Sequence, residues 1–181
     1  MNAFLSGRFL ALVATLLLAA AIGFFAWSGF KAPPLTASSG IVTTPPGWVK
    51  LAGPGFTLYA PAGAQLRAAQ GNGFTYGDIV GTALCIRFQA GGKAKLMLSA
   101  SHPDISETAL TIAGAPAIVR KAYLADNEQR YWFAGCGQPL YSGLLLTTAE
   151  GAIAIEVSAA NQDSLDDAMM LFKSVRLASG G

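Results

Sequence analysis

Two cysteines and one histidine carry the most reactive side chains in this 181-residue chain. Cys85 and Cys136 are too few for a four-thiolate zinc or iron–sulfur site. The single histidine, His102, excludes a metal site built from several histidines within one copy. The glycine-rich stretches also lack the spacing of phosphate-binding or dinucleotide-binding loops. The sequence therefore predicts neither a metal nor a cofactor.

His102 is the base that a Ser-His-Asp or Cys-His site would have to use. It lies in Ser-His-Pro-Asp, where Pro103 restricts the preceding residue and Asp104 favours a turn. Nothing in the pattern around it indicates a nucleophile held within hydrogen-bond reach. We predict a surface-loop histidine and a non-enzymatic protein. An envelope hydrolase that uses His102 is the alternative.

Aromatic residues surround the glycine-rich turn at residues 135–139. Aromatic and arginine side chains are enriched among the residues that dominate protein interfaces. Residues 130–136 are predicted as a strand, so one side of it faces the core and the other remains free for binding. Core packing is the favoured interpretation of the aromatic cluster, and a binding role is left to the side chains of the free side. The candidate partner surface comprises Arg130, Tyr131, Trp132 and Tyr141.

The N-terminal part of the chain contains an uncharged apolar run over residues 9–30. As a helix this run would be about 33 Å long, enough to cross a bilayer core of about 30 Å. A cleaved signal peptide has a shorter apolar core, about 7–15 residues long. We therefore predict an uncleaved signal anchor over residues 1–31 and a single-pass protein of the inner membrane. Secretion after signal cleavage is the alternative, and both export the rest of the chain to the periplasm.

Three further segments follow the anchor. Residues 32–46 are rich in proline, serine and threonine and carry no charge, which is typical of an extended linker. Residues 47–178 form the predicted globular domain, and residues 179–181 a short tail. Because exported domains fold in an oxidising compartment, a disulfide between Cys85 and Cys136 is predicted. Two buried thiols without a bond are the alternative.

The domain is predicted as β-strands with short turns, which form an antiparallel sheet, followed by a helix. Gly91-Gly92 is predicted to form a hairpin turn, and residues 65–74 are left unassigned. The predicted strands cover residues 48–51, 56–60, 83–89, 94–100, 108–112, 117–124, 130–136, 144–148 and 152–158.

The last element is predicted as an amphipathic helix over residues 161–175. Its apolar residues recur at helical spacing and form one stripe: Leu165, Ala168, Met169, Phe172 and Val175. Asn161 or Asp163 is expected to cap the helix, with Met169 and Phe172 packed on the sheet.

Three stretches resemble the PsbP-like fold family. They read FTLYAPAGAQLR, ETALTIAGAPAIVRKAYLA and GAIAIEVSAANQDSLDDAMMLFKSVRL, and they extend over residues 56–178. The resemblance implies an α+β fold, an α/β/α sandwich around an antiparallel sheet with a C-terminal packing helix. The family includes the photosystem II accessory protein, bacterial envelope lipoproteins and some secretion-system immunity proteins. It therefore implies a binding or accessory role.

The charge of the chain gives no reason to expect a nucleic-acid partner. Twelve basic and ten acidic residues leave a net charge of +2, and two of the basic residues flank the apolar run. The remaining basic residues are scattered, so no basic patch is expected. We therefore expect a membrane-anchored domain that binds a protein partner, with a secretion-system immunity or secretion-associated protein as the alternative.

Overall fold

The computed structural model describes residues 44–133 and 135–178. The predicted anchor over residues 1–31, most of the linker and the tail lie outside the described residues. Within the described ranges, no helix is long and apolar enough to cross a membrane.

The described chain is mainly antiparallel β-sheet with a C-terminal helix, so it has the α+β class that we predicted. The elements in chain order are β1 (Val49–Gly53), β2 (Phe56–Ala60), β3 (Gln65–Gly71), β4 (Phe74–Val80), β5 (Cys85–Gly91), β6 (Ser106–Ile112), β7 (Ala115–Tyr123), α1 (Asp126–Trp132), β8 (Leu140–Thr148), β9 (Gly151–Ala159), α2 (Gln162–Lys173) and β10 (Arg176–Leu177). Seven strands form a large sheet in the order β3-β4-β5-β9-β8-β7-β6, and three form a small sheet in the order β1-β2-β10.

Both faces of the large sheet are covered. One face, here called the core face, packs against α2 and the small sheet. Phe56 of β2 meets Phe88 of β5 there, edge to face, with ring centroids 5.6 Å apart. The opposite face, here called the loop face, lies under α1 and the irregular segment 94–105, which share a second apolar cluster containing Leu98 and Phe133. Alternate residues of each central strand therefore enter two different cores.

Helix α2 follows the predicted pattern. The Ser164 N–H donates to the Asn161 side chain at 2.9 Å, so Asn161 is the N-cap. Phe172 is fully buried, as predicted, whereas Met169 is partly buried at the edge of the same cluster. Leu171, which the predicted stripe does not include, is fully buried as well. The apolar face of the helix is therefore wider than the sequence pattern indicates.

Two of the predicted strands are wrong. Residues 94–100 form no strand, although Leu96 and Leu98 point inward at strand-like spacing. The hairpin predicted at Gly91-Gly92 is absent as a consequence, since β5 pairs with β4 and β9 instead. Residues 130–136 include the end of α1 rather than a strand, because Glu128 accepts a hydrogen bond from the Ala125 N–H and stabilises a helix start.

The unassigned residues 65–74 belong to the β3–β4 hairpin. Gly71 pairs with Phe74, so Asn72 and Gly73 form a two-residue turn, and Gly73 has a φ of 83°. Asn-Gly is the strongest short sequence signal for such a turn. Sequence reasoning missed it because the flanking strand alternates poorly.

Burial of Phe172 predicts a large contribution to stability. Phe172→Ala is expected to lower the free energy of unfolding of the full chain by about 3–5 kcal/mol, because the substitution leaves a cavity under α2. Met170→Ala is the matched control on the same helix, since Met170 is 37% exposed. Urea unfolding of both variants measures the difference. Equal losses for the two variants would contradict the packing of Phe172 in the core.

The β6–β7 turn predicts a stabilising substitution. Ala113 has a φ of 51° and Gly114 a φ of 79°, as in a type I′ turn. Left-handed backbone is unfavourable for alanine and well tolerated by asparagine. Ala113→Asn is therefore expected to raise the free energy of unfolding by about 0.5–1 kcal/mol. Gly114→Ala, measured alongside, should lower it, and an Asn variant no more stable than wild type would contradict the turn assignment.

Candidate functional site

A buried carboxyl group lies at the centre of the loop face. Glu156 of β9 is 2% exposed, and its Oε1 accepts hydrogen bonds from the Tyr141 hydroxyl at 2.6 Å and the Met97 N–H at 2.8 Å. Burial raises the pKa of Glu156, and the two hydrogen bonds and the charge of Arg87 oppose that rise. Burial, followed by the charge of Glu156, raises the pKa of Tyr141, so the phenol stays protonated and donates.

Tyr141 is therefore no part of a partner surface. Its side chain is 1% exposed and packs against Phe133, with ring centroids 6.4 Å apart, so the prediction that Tyr141 is available for binding is wrong. Its ring lies over Gly143, where any Cβ would collide with the Tyr141 hydroxyl end. Because Gly143 has no side chain, the Tyr141 phenol can lie along β8 over this glycine and reach Glu156 on β9.

Glu156 belongs to a row of charged residues that crosses the whole large sheet. The pairing registers place one residue of each strand at the same level on the loop face. From β3 to β6 this row, here called the charged row, reads Arg67, Asp78, Arg87, Glu156, Gly143, Arg120 and Glu107. The charges alternate in sign on either side of the glycine, so cross-strand neighbours attract one another.

Two of the three arginines in the charged row, Arg87 and Arg120, also hold the covering layer. The Arg87 guanidinium donates to the Trp132 carbonyl at 2.6 Å, and that of Arg120 donates to the Leu98 carbonyl at 2.8 Å. Both arginines are paired within the row as well, Arg87 with Asp78 at 3.5 Å and Arg120 with Glu107 at 2.8 Å. The row therefore satisfies backbone groups that have no neighbouring strand to pair with.

Cys85 and Cys136 are joined by a disulfide, with Cα atoms 5.8 Å apart. Cys85 is at the start of β5 on the loop face and is 6% exposed. Cys136 is exposed and follows α1 in a turn, not in the strand that the sequence indicated. The bond therefore ties the end of α1 to the large sheet, across a sequence separation of 51.

The remaining members of the predicted partner surface are accessible. Tyr131 is 75% exposed, Arg130 is exposed and Trp132 is partly buried. The Tyr131 and Trp132 rings meet edge to face, with centroids 4.6 Å apart. We call these three residues the α1 surface. Helix α1 itself contains no buried residue.

An open polar hollow of about 390 Å³ adjoins the α1 surface. One wall is α1 and the other is the turn that contains Cys136. The lining residues are Asp126, Gln129, Arg130, Phe133, Gly135, Cys136, Gly137 and Gln138. Opposite charges at Asp126 and Arg130, one helical turn apart, give the hollow both an acceptor and a donor.

His102 lies in the predicted turn, closed by the Ile105 N–H bonding to the His102 carbonyl, but its side chain is only 13% exposed. His102 is therefore a loop histidine, as predicted, but its side chain is partly buried rather than free in solvent. Its Nε2 faces the Glu128 carboxylate at 3.1 Å, and its Nδ1 accepts from the Asp104 N–H at 3.3 Å. Both ring nitrogens thus have partners that are not nucleophiles, and the ring links the segment 94–105 to α1.

A second groove, of about 420 Å³, lies between the β1–β2 turn, the β8–β9 turn and the ends of β5 and β10. Turn residues and strand ends line it, among them Pro54, Gly55, Glu150 and Leu177. Among the described residues, no three His, Cys, Asp or Glu side chains converge on a point where a metal ion would bind.

No protein-family model matches this chain, and no curated protein does either.

The raised pKa of Glu156 predicts how stability depends on pH. A carboxyl group that holds its proton more tightly when folded stabilises the fold below its ordinary pKa of 4.5, and this contribution is lost as pH rises through the raised value. Glu156→Gln keeps an oxygen that accepts from Tyr141 and Met97 but does not titrate. Relative to wild type, the variant should therefore gain free energy of unfolding as the pH rises above 4.5.

Urea unfolding across a pH series measures this gain. Glu107→Gln is the control, because that carboxyl group belongs to the same charged row but its side chain is 40% exposed. Parallel pH profiles for the wild type and Glu156→Gln would show that Glu156 titrates normally.

Proposed function

We propose that this chain is a membrane-anchored envelope protein whose exported domain binds a protein partner through the α1 surface, in an accessory or assembly role. The observation that carries the proposal is the exposure of Tyr131, 75%, on a helix with no buried residue. A large aromatic side chain held in water on a fixed helix loses little conformational entropy when a partner covers it. Arg130 and the polar hollow supply directional contacts beside it.

The rigidity of the support favours binding over a purely structural role for α1. The two rings form an edge-to-face pair, and the carbonyl of Trp132 is bonded by Arg87. The N-terminal end of α1 is bonded through Glu128 to His102. A preorganised surface binds more tightly than a mobile one, because less ordering is required on association.

The contacts of His102 support a non-enzymatic function over the hydrolase alternative. A general base needs a ring nitrogen directed at a nucleophile. In His102, Nε2 faces the Glu128 carboxylate and Nδ1 accepts from the Asp104 N–H. Glu156 is enclosed under Met97 and Tyr141 and accepts a hydrogen bond from each of them. These contacts attach the covering segment to the sheet. The PsbP-like resemblance of the sequence agrees with an accessory role and remains part of this proposal.

Site-specific photo-crosslinking in intact cells tests the proposal. A photoreactive residue is placed at Asn127, which is exposed one turn before Tyr131 on the same helix. We expect a covalent adduct with one envelope protein, and we expect Tyr131→Ser to abolish most of it. Tyr76→Ser is the matched control, because Tyr76 is an exposed tyrosine of β4 outside the α1 surface.

Loss of the adduct in both serine variants, or in neither, would contradict binding through the α1 surface. The nature of the captured protein separates the two binding roles. A toxin-like or secretion-apparatus partner would favour the immunity or secretion-associated alternative over a general accessory role.

Retention of the anchor has its own measurement. The uncharged run over residues 9–30 continues past any small-residue cleavage site, so the protein extracted from membranes is expected to have the intact mass of the full chain. A mature N-terminus near residues 20–30 would show a cleaved, secreted protein instead.

A further inference from the structure

The polar hollow has two walls that belong to different parts of the chain, and they are in close contact. Gly137 of the turn lies so near the Gln129 carbonyl of α1 that a Cβ on the glycine would overlap it. The shape of the hollow therefore depends on how closely the turn is held against α1.

Few non-covalent contacts hold the turn. The Cys136 N–H bonds to the Phe133 carbonyl at 2.9 Å, which is a contact within the turn itself. Towards the sheet, the hydroxyl of Ser158 bonds both backbone groups of Gln138, at 2.6 and 2.9 Å, and so fixes only the end of the turn. Among the described residues between Phe133 and Gln138, the disulfide from Cys136 to Cys85 is the attachment to the sheet.

We propose that the Cys85–Cys136 disulfide is a redox latch on the hollow: the oxidised form holds the turn against α1 in the shape that binds the partner, and reduction by a dithiol releases the turn and weakens binding. This inference rests on the proposed function, and it adds regulation of the same site. The position of Cys136 carries it, because this exposed cysteine lines the hollow while its partner Cys85 is buried in the large sheet.

Reduction proceeds by thiol–disulfide exchange, in which the dithiol supplies the two electrons. One thiolate of the reductant attacks the sulfur of Cys136, the S–S bond breaks, and the sulfur of Cys85 leaves and takes up a proton. The second thiolate of the reductant then displaces Cys136 from the mixed disulfide. The protein gains two thiols and two electrons, and the dithiol becomes a disulfide. Cys136 is the sulfur open to attack, since Cys85 is 6% exposed.

The change is local because the other attachments do not need the bond. Arg87 still bonds the Trp132 carbonyl, Glu128 still faces His102, and Ser158 still holds Gln138. The large sheet keeps its register, since Cys85 also pairs through its backbone with Ser158. Reduction therefore frees the turn at Gly135–Gly137, while α1 stays attached and the two cores remain packed.

Hydrogen exchange of the full-length chain, before and after dithiothreitol, tests the latch without any partner. On reduction, amides of residues 135–137 should exchange about tenfold faster, while those of α2 and β9 stay within about a factor of two. The Cys85→Ser, Cys136→Ser double variant should match the reduced protein. If the double variant fails to fold, the comparison of oxidised and reduced wild type still tests the latch, because it needs no substitution.

Unchanged exchange at residues 135–137 would overturn the latch, and so would faster exchange throughout the domain, because that would show a disulfide that stabilises the whole fold. Crosslinking from Asn127 then reports on binding: the adduct should fall on reduction. Absence of an adduct in both redox states, with the local exchange change present, would refute the partner surface but leave the redox-dependent hollow established.

Discussion

The loop face of the large sheet is covered by backbone that belongs to no strand, and that backbone has to find hydrogen-bond partners away from water. The charged row supplies them. Glu156 bonds the Met97 N–H, Arg120 the Leu98 carbonyl and Arg87 the Trp132 carbonyl. An unpaired buried backbone group costs about as much as a lost hydrogen bond, so these side chains make the irregular cover possible.

The same constraint explains why polar residues occupy central strands. A carboxyl group as buried as Glu156 is costly unless it is bonded, and burial accordingly raises its pKa. Alternation of charge along the row offsets part of that cost and also specifies register. A slip of one residue in any central strand would turn its charged member onto the core face, among Phe88 and Ile155.

The accessibility of the α1 surface follows from how α1 is attached. A seven-residue helix is too short to be stable by itself in water, and this one buries none of its own residues. Its flanking residues, Leu124 and Phe133, enter the second core instead, and the disulfide holds the turn behind it. The helix is thus fixed at its ends, which leaves Tyr131 free to face a partner.

Local sequence determined the elements whose signals are local. The stripe of α2 and its Asn161 cap, the strand pattern of β2 and β9, and the turn at His102 were all readable because 3.6-residue and two-residue periods and turn chemistry act over a few residues. Tertiary structure decided the rest. Leu96 and Leu98 alternate as in a strand, yet their segment is held by hydrogen bonds from Glu156 and Arg120 of distant strands. Tyr141 is buried because Gly143 leaves space beside Glu156. The charged row exists only once seven strands are in register. No local pattern in one chain segment encodes a pair such as Arg87 and Glu156, which are 69 positions apart.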